Sequence, residues 1–197
     1  MNYTRLEHNF PPLWLIILLL FVGLCVAAQT VDVRKSIYNS VYSLSLNAPV
    51  QMEWTIHSSD VGGVVRGGNG HFRQDVTHAA ATARHADYSR SGYHRGHLCP
   101  AKDRSNSAAS MHETFCLSNC SPQVPALNVG SWRRTEEMCR AYAVLYDSVC
   151  VLACPVYLHR DTILIGKNNI AVTHGFFKAV WIASTDSVLN AWFVFNK

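Results

Sequence analysis

The chain has 197 residues, is 49% hydrophobic, and carries 17 Lys and Arg against 13 Asp and Glu, for a net charge of +4. That length describes one domain behind a leader, with enough apolar residues to fill a core. The near-balance of charge excludes a protein that coats nucleic acid by bulk charge, and leaves room for an enzyme with a local positive cleft.

In chain order, Leu13 to Ala28 (LWLIILLLFVGLCVAA) comes first. Its uncharged core of about 15 residues falls short of the roughly 20 that span a bilayer. Arg5 precedes it, and the small Val26 and Ala28 are placed like a cleavage signal. Residues 1–28 therefore read as a cleaved signal peptide, or else as an uncleaved signal anchor. Either reading exports residues 29–197 to a periplasmic or extracellular space. A membrane is a partner only if the leader stays. Losing Cys25 leaves six cysteines, for which an oxidising compartment predicts three disulfides. Zinc is the rival reading, but neither Cys116 to Cys120 nor Cys150 to Cys154 has the usual two-residue gap.

Val31 to Thr55 alternates loosely and predicts one or two edge-like strands. Ser58 to Gly70 is glycine-rich and predicts a loop. Thr77 to His85 is a short helix or irregular, and Tyr88 to Cys99 a loop with a strand beside it. Ser107 to Met111 is a loop or a turn of helix. Phe115 to Leu117 has strand character, ended by the prolines of Ser121 to Pro125. Val129 to Tyr146 predicts a helix, with Trp132, Met138, Tyr142 and Leu145 inward. Five apolar or β-branched runs follow: Val149 to Tyr157, Thr162 to Ile165, Ile170 to Thr173, Phe176 to Ala183 and Leu189 to Phe195. The fold class is α+β, built on a central antiparallel or mixed sheet.

The densest chemistry lies between Ser91 and Glu136. His97 follows Gly96 in HRGHLCP, and a neutral imidazole there can take a proton from water. Arg95 offers a fork of donors to phosphate. Asn128 is a hard neutral ligand suited to Mg²⁺, or equally a helix cap. Glu136 lies eight residues on, about two turns away on one helix face, where it can order water around an ion. As an ordinary surface acid it would instead pair with Arg140. Asn119 and Gln123 can orient loops, phosphate or His97.

This stretch resembles the DNA/RNA non-specific endonuclease family of the ββα-metal fold. That family carries an Asp-Arg-Gly-His run, a Ser-Asn-x-x-Pro-Gln segment, an Asn-x-Gly-x-Trp segment and a helix glutamate. Here these correspond to HRGH at His94, SNCSPQ at Ser118, NVGSW at Asn128, and Glu136. Weaker likeness extends to Met52, to HFRQD at His71 and to THGFFKAV at Thr173. The resemblance implies His97 as general base, Arg95 as signature arginine, and Asn119 and Gln123 as site amides. It implies Asn128 as Mg²⁺ ligand (Mn²⁺ serving in its place), Trp132 as a core residue, and Glu136 as the acid ordering the metal's waters. A second phosphate-binding arginine is best matched by Arg73, ahead of Arg84 and Arg66. The implied activity is sugar-non-specific hydrolysis of DNA and RNA to 5′-phosphate ends. His94, where the family has aspartate, keeps a second reading open: a weak or inactive nucleic-acid-binding protein on a nuclease scaffold. No obligate protein partner is implied.

Overall fold

The computed structural model describes residues 29–63, 71–76, 83–158 and 162–197. The predicted leader, the end of the glycine-rich loop and most of Thr77 to His85 lie outside them.

A six-stranded antiparallel sheet organises the domain, in the order β1-β2-β3-β6-β9-β10. Its strands are β1 (Thr30–Arg34), β2 (Asn39–Ser43), β3 (Ala48–His57), β6 (Ser148–Val156), β9 (Gly175–Ile182) and β10 (Val188–Phe195). Two small ribbons flank it: β4 (His94–His97) with β5 (Cys120–Gln123), and β7 (Leu164–Ile165) with β8 (Ile170–Ala171). Among the described residues there are three α-helices, in chain order α1 (Ala108–Thr114), α2 (Pro125–Val129) and α3 (Ser131–Tyr146). The α+β expectation holds.

Val31 to Thr55 holds three strands rather than one or two, and β3 is interior. Alternation explains this: Met52, Trp54 and Ile56 point into the core while Glu53 and Thr55 take the other face. The predicted strand at Phe115 to Leu117 is only a single bridge from Arg73 to Cys116. The real strand is β5, which contains Pro122. A two-stranded ribbon has a free edge, so the missing N–H of proline is tolerated there.

The helix departs from prediction twice. Its buried face is Trp132, Thr135, Cys139, Arg140 and Ala143, while Met138 and Leu145 are exposed. Two polar residues join that face because each has a partner. Thr135 Oγ1 donates to the Trp132 carbonyl, and Arg140 reaches Asp103 at 2.8 Å. Asp103, fully buried, also accepts from Trp54 Nε1 at 2.9 Å. This knot fixes α3 to β3 under the sheet.

The six described cysteines are free thiols, which corrects the expected disulfides. Cys150 and Cys154 share strand β6, four residues and about 13 Å apart, beyond disulfide reach. Cys99 and Cys139 are packed as small core residues. Burial raises the thiols of Cys139 and Cys154 to about 12.

Candidate active site

The β4–β5 ribbon brings two distant segments into register, His94 opposite Gln123 and His97 opposite Cys120. Gly96 is required there, because a Cβ would collide with the Gln123 side chain lying across it. Gln123 is fully buried, and neither its amide nitrogen nor its oxygen has a hydrogen-bond partner. Asn119 is the opposite case. Its oxygen accepts from the Cys99 N–H at 2.9 Å, and its nitrogen donates to the carbonyls of Cys99 and Thr114, both at 2.8 Å. With every group engaged by backbone, Asn119 acts as a clamp on the chain leaving β4.

His97 is held by its surroundings rather than by ring hydrogen bonds. Its carbonyl accepts from Trp132 Nε1 at 2.9 Å, tying β4 to α3. Its ring lies 4.9 Å from Phe72 and 5.0 Å from Phe115, edge-on to the latter. Nε2 is buried without a partner. Burial lowers the imidazole from an ordinary 6.5 to about 4, so at neutral pH the ring is an uncharged proton acceptor.

Arg95 donates from Nη2 to the His85 carbonyl at 3.0 Å. Its guanidinium lies over the rings of Tyr88 and Phe72, at 5.5 and 5.8 Å. Arg73 follows Phe72, and its Nη1 donates to the His112 carbonyl at 2.6 Å. The segment carrying Phe72 against His97 is thus pinned to the end of α1.

Asn128 and Glu136 do not share one helix, contrary to the sequence reading. Asn128 lies in α2 and Glu136 in α3, and the chain breaks at Gly130, where a Cβ would strike the Ala126 carbonyl oxygen. Nor is Asn128 a cap: Gly130 occupies that position before α3, with no side-chain cap. Asn128 Nδ2 instead lies 3.0 Å from His94 Nδ1. Its carbonyl oxygen makes no hydrogen bond among the described residues.

Glu136 is no ordinary surface acid. Burial raises its carboxyl from 4.5 to about 7, and Lys178 is the charge that most opposes the rise. Lys178, on β9, is fully buried, its Nζ over the Trp132 ring at 3.7 Å and without a hydrogen-bond acceptor. Sequence reading gave Lys178 no role. A lysine within the apolar run GFFKAVWI is the signal that could have found it. Phe72 and Phe115 were missed too, since aromatic residues there read as core.

These residues fit a hard divalent cation. Among the described residues no three His, Cys, Asp or Glu side chains cluster to hold a metal unaided. An ion here would rest on the free Asn128 oxygen, water and substrate phosphate, the arrangement Mg²⁺ tolerates. Glu136, held up by burial in spite of Lys178 and Arg140, would gain from the added positive charge.

The sequence from 23 to 196 matches the DNA/RNA non-specific endonuclease family. The chain belongs to that family. Among its relatives, mitochondrial endonuclease G of Homo sapiens is 40% identical over 119 residues, covering 55% of this chain and 40% of the human protein. The mitochondrial nuclease of Saccharomyces cerevisiae is 41% identical over 106 residues, covering 48% of this chain and 32% of its own. The chain spans less than half the length of these curated relatives. A crystal structure of an EndoG/EndoGI complex aligns at a TM-score of 0.74 and 25% identity, over 91% of this chain and 80% of that one. Mitochondrial relatives overturn the exported, periplasmic or extracellular reading of this family member. A short apolar N-terminal run suits more than one targeting route, and the free thiols remove the second argument for export.

The opposed shifts of His97 and Glu136 have a thermodynamic signature. His97 titrates near 4 folded and 6.5 unfolded, so the unfolded chain binds the extra proton between those values and stability rises with pH. Glu136 does the reverse between 4.5 and about 7, and stability falls. Each amounts to about 3 kcal/mol, and over most of the window they cancel. Glu136→Gln should therefore gain about 3 kcal/mol of stability from pH 4 to 6.5 relative to wild type. His97→Gln should lose a similar amount from pH 4.5 to 7. Urea titrations at stepped pH test this, and identical profiles for the two variants would refute both shifts.

Proposed function

We propose that the chain is a metal-dependent endonuclease that hydrolyses DNA and RNA backbones without sequence preference, leaving 5′-phosphate and 3′-hydroxyl ends. Residues 29–197 form its nuclease unit. The observation that carries the reading is His97: an uncharged imidazole between Phe72 and Phe115, on a ribbon tied by side chains to both α2 and α3.

His97 takes a proton from water, the oxygen attacks phosphorus, the bond from phosphorus to the 3′ oxygen breaks, and that oxygen leaves and is protonated from solvent. Arg95 binds the phosphate and offsets the charge that builds on it, with Arg73 as a second contact. A divalent ion, Mg²⁺ or Mn²⁺, carried by Asn128 would supply further positive charge at the scissile phosphate. Glu136 accepts hydrogen bonds from water in the cleft and fixes its orientation. Gln123 packs across Gly96 in the strand that carries His97, and Asn119 holds the chain after it. The roles assigned to this set all act on the phosphodiester itself, which supports acceptance of both sugars. The relatives' names support a mitochondrial setting here as well.

Purified protein should nick supercoiled DNA with Mg²⁺ and stop on chelation. Failure to cleave DNA and RNA under any divalent ion would favour the inactive binding protein instead.

His94 bears on that choice. Through Nδ1 it pairs with the Asn128 side-chain amide, which leaves that residue's oxygen for another partner. An aspartate would accept equally well, so His94→Asp should leave kcat unchanged or raised a few-fold. A dead aspartate variant beside an active wild type would give His94 a direct part in the reaction.

A further inference from the structure

One buried acid ties two cation-bearing segments together outside the catalytic ribbon. Asp87 is 3% exposed. It accepts from the Arg84 N–H at 2.7 Å, and from the Asn168 backbone and side-chain amides at 3.2 and 2.8 Å. Asn168 sits at the tip of the β7–β8 hairpin beside Lys167. Gly166, at φ +67, packs so closely that a Cβ there would collide with Asp87. Asn47 donates to the Asn168 carbonyl at 2.8 Å, so the tip is fixed from two sides.

Arg84 lies three residues before Asp87 and Arg90 three after it. Lys167, Arg84 and Arg90 are all exposed, and none forms an ion pair among the described residues. The loop between them also meets the site, since the His85 carbonyl accepts from Arg95. Across residues 83–97 and 162–174 the one acid is Asp87, buried and already hydrogen-bonded. The two segments that Asp87 ties together thus carry Arg84, Arg90, Arg95 and Lys167 and, within residues 83–97 and 162–174, no exposed carboxylate.

We propose that Lys167, Arg84 and Arg90 form a phosphate track that carries the polynucleotide away from Arg95, so that the protein grips its substrate beyond the scissile bond. The proposal rests on the nuclease reading and names the part of the substrate those residues hold, the sugar–phosphate backbone. Contacts of this kind position a strand without reading bases, in keeping with an absence of sequence preference.

Each phosphate contact to duplex DNA contributes about 0.9 to the slope of log affinity against log salt. The variants are Lys167→Glu and Arg90→Gly. Arg90 has φ +59, a left-handed backbone that glycine adopts freely, so its charge is removed without disturbing the turn. Both changes are placed in full-length His97→Ala protein with Mg²⁺, and binding to a short DNA duplex is followed by fluorescence anisotropy over a salt series. Each should weaken binding about three- to ten-fold at low salt and flatten the slope by about 0.9. In otherwise wild-type protein, KM for supercoiled DNA should rise by a similar factor while kcat and cleavage of a dinucleotide stay unchanged. Unaltered slopes and KM in both variants would overturn the track. Loss of dinucleotide cleavage would also overturn it, by placing these residues at the reacting phosphate. If the His97→Ala parent bound no duplex and wild type cleaved none, the nuclease reading itself would fail and take the track with it.

Discussion

Changing His97 to alanine should lower cleavage of supercoiled DNA by about a hundred- to ten-thousand-fold, the usual cost of losing a positioned proton-transfer group. Duplex binding should stay close to wild type, because the phosphate contacts belong to other side chains. Alanine also leaves a gap between Phe72 and Phe115, so His97→Gln is the companion variant. It keeps bulk between the rings without a base of comparable strength. If both variants are slow and both bind, the loss belongs to proton transfer. If glutamine restores most of the rate, His97 serves packing, and His94 becomes the next candidate for the base.

Asn128→Ala should cost about a hundred- to thousand-fold in kcat, the scale of several kcal/mol of charge stabilisation at the phosphate. Its fold should survive, since the side-chain hydrogen bond lost is to exposed His94. Glu136→Gln should cost less, about ten- to a hundred-fold, as expected of a group acting through water. Mn²⁺ titration followed by electron paramagnetic resonance separates the two: the affinity for the ion should fall far more in the alanine variant. Equal Mn²⁺ affinity in wild type and Asn128→Ala would remove Asn128 as the ligand.

The candidate residues were legible because they crowd into short contiguous motifs. HRGH and SNCSPQ become β4 and β5, and their pairing brings Arg95, His97 and Gln123 together. The supports were hidden because they come from elsewhere in the chain. Phe72, Asp103 and Lys178 reach the site only through tertiary packing, which leaves no local pattern. The helix phase failed for a related reason. Arg140 counts as polar in any periodicity, yet it is buried because Asp103 waits for it. Likewise the break at Gly130 depends on the Ala126 carbonyl beneath it, and a reading of one continuous helix put Asn128 and Glu136 on a face they do not share. The later strands of the main sheet were easier, since β6 and β9 are buried along most of their length and read as short continuous apolar runs. Cysteine parity misled, because an even count carries no information on distance.

Asn196 gives the order of events in synthesis a chemical meaning. Its oxygen accepts from the Val124 N–H, and its amide donates to the carbonyls of Pro122 and Thr173, each at 2.9 Å. The junction between β5 and α2, which sets Gln123 and Asn128, is therefore closed by a residue about 70 positions downstream. A ribosome that has translated every candidate catalytic residue has still not delivered this tie. The emerging polypeptide holds all its candidate catalytic groups well before this tie can form, and the junction beside Gln123 and Asn128 closes only as residue 196 docks.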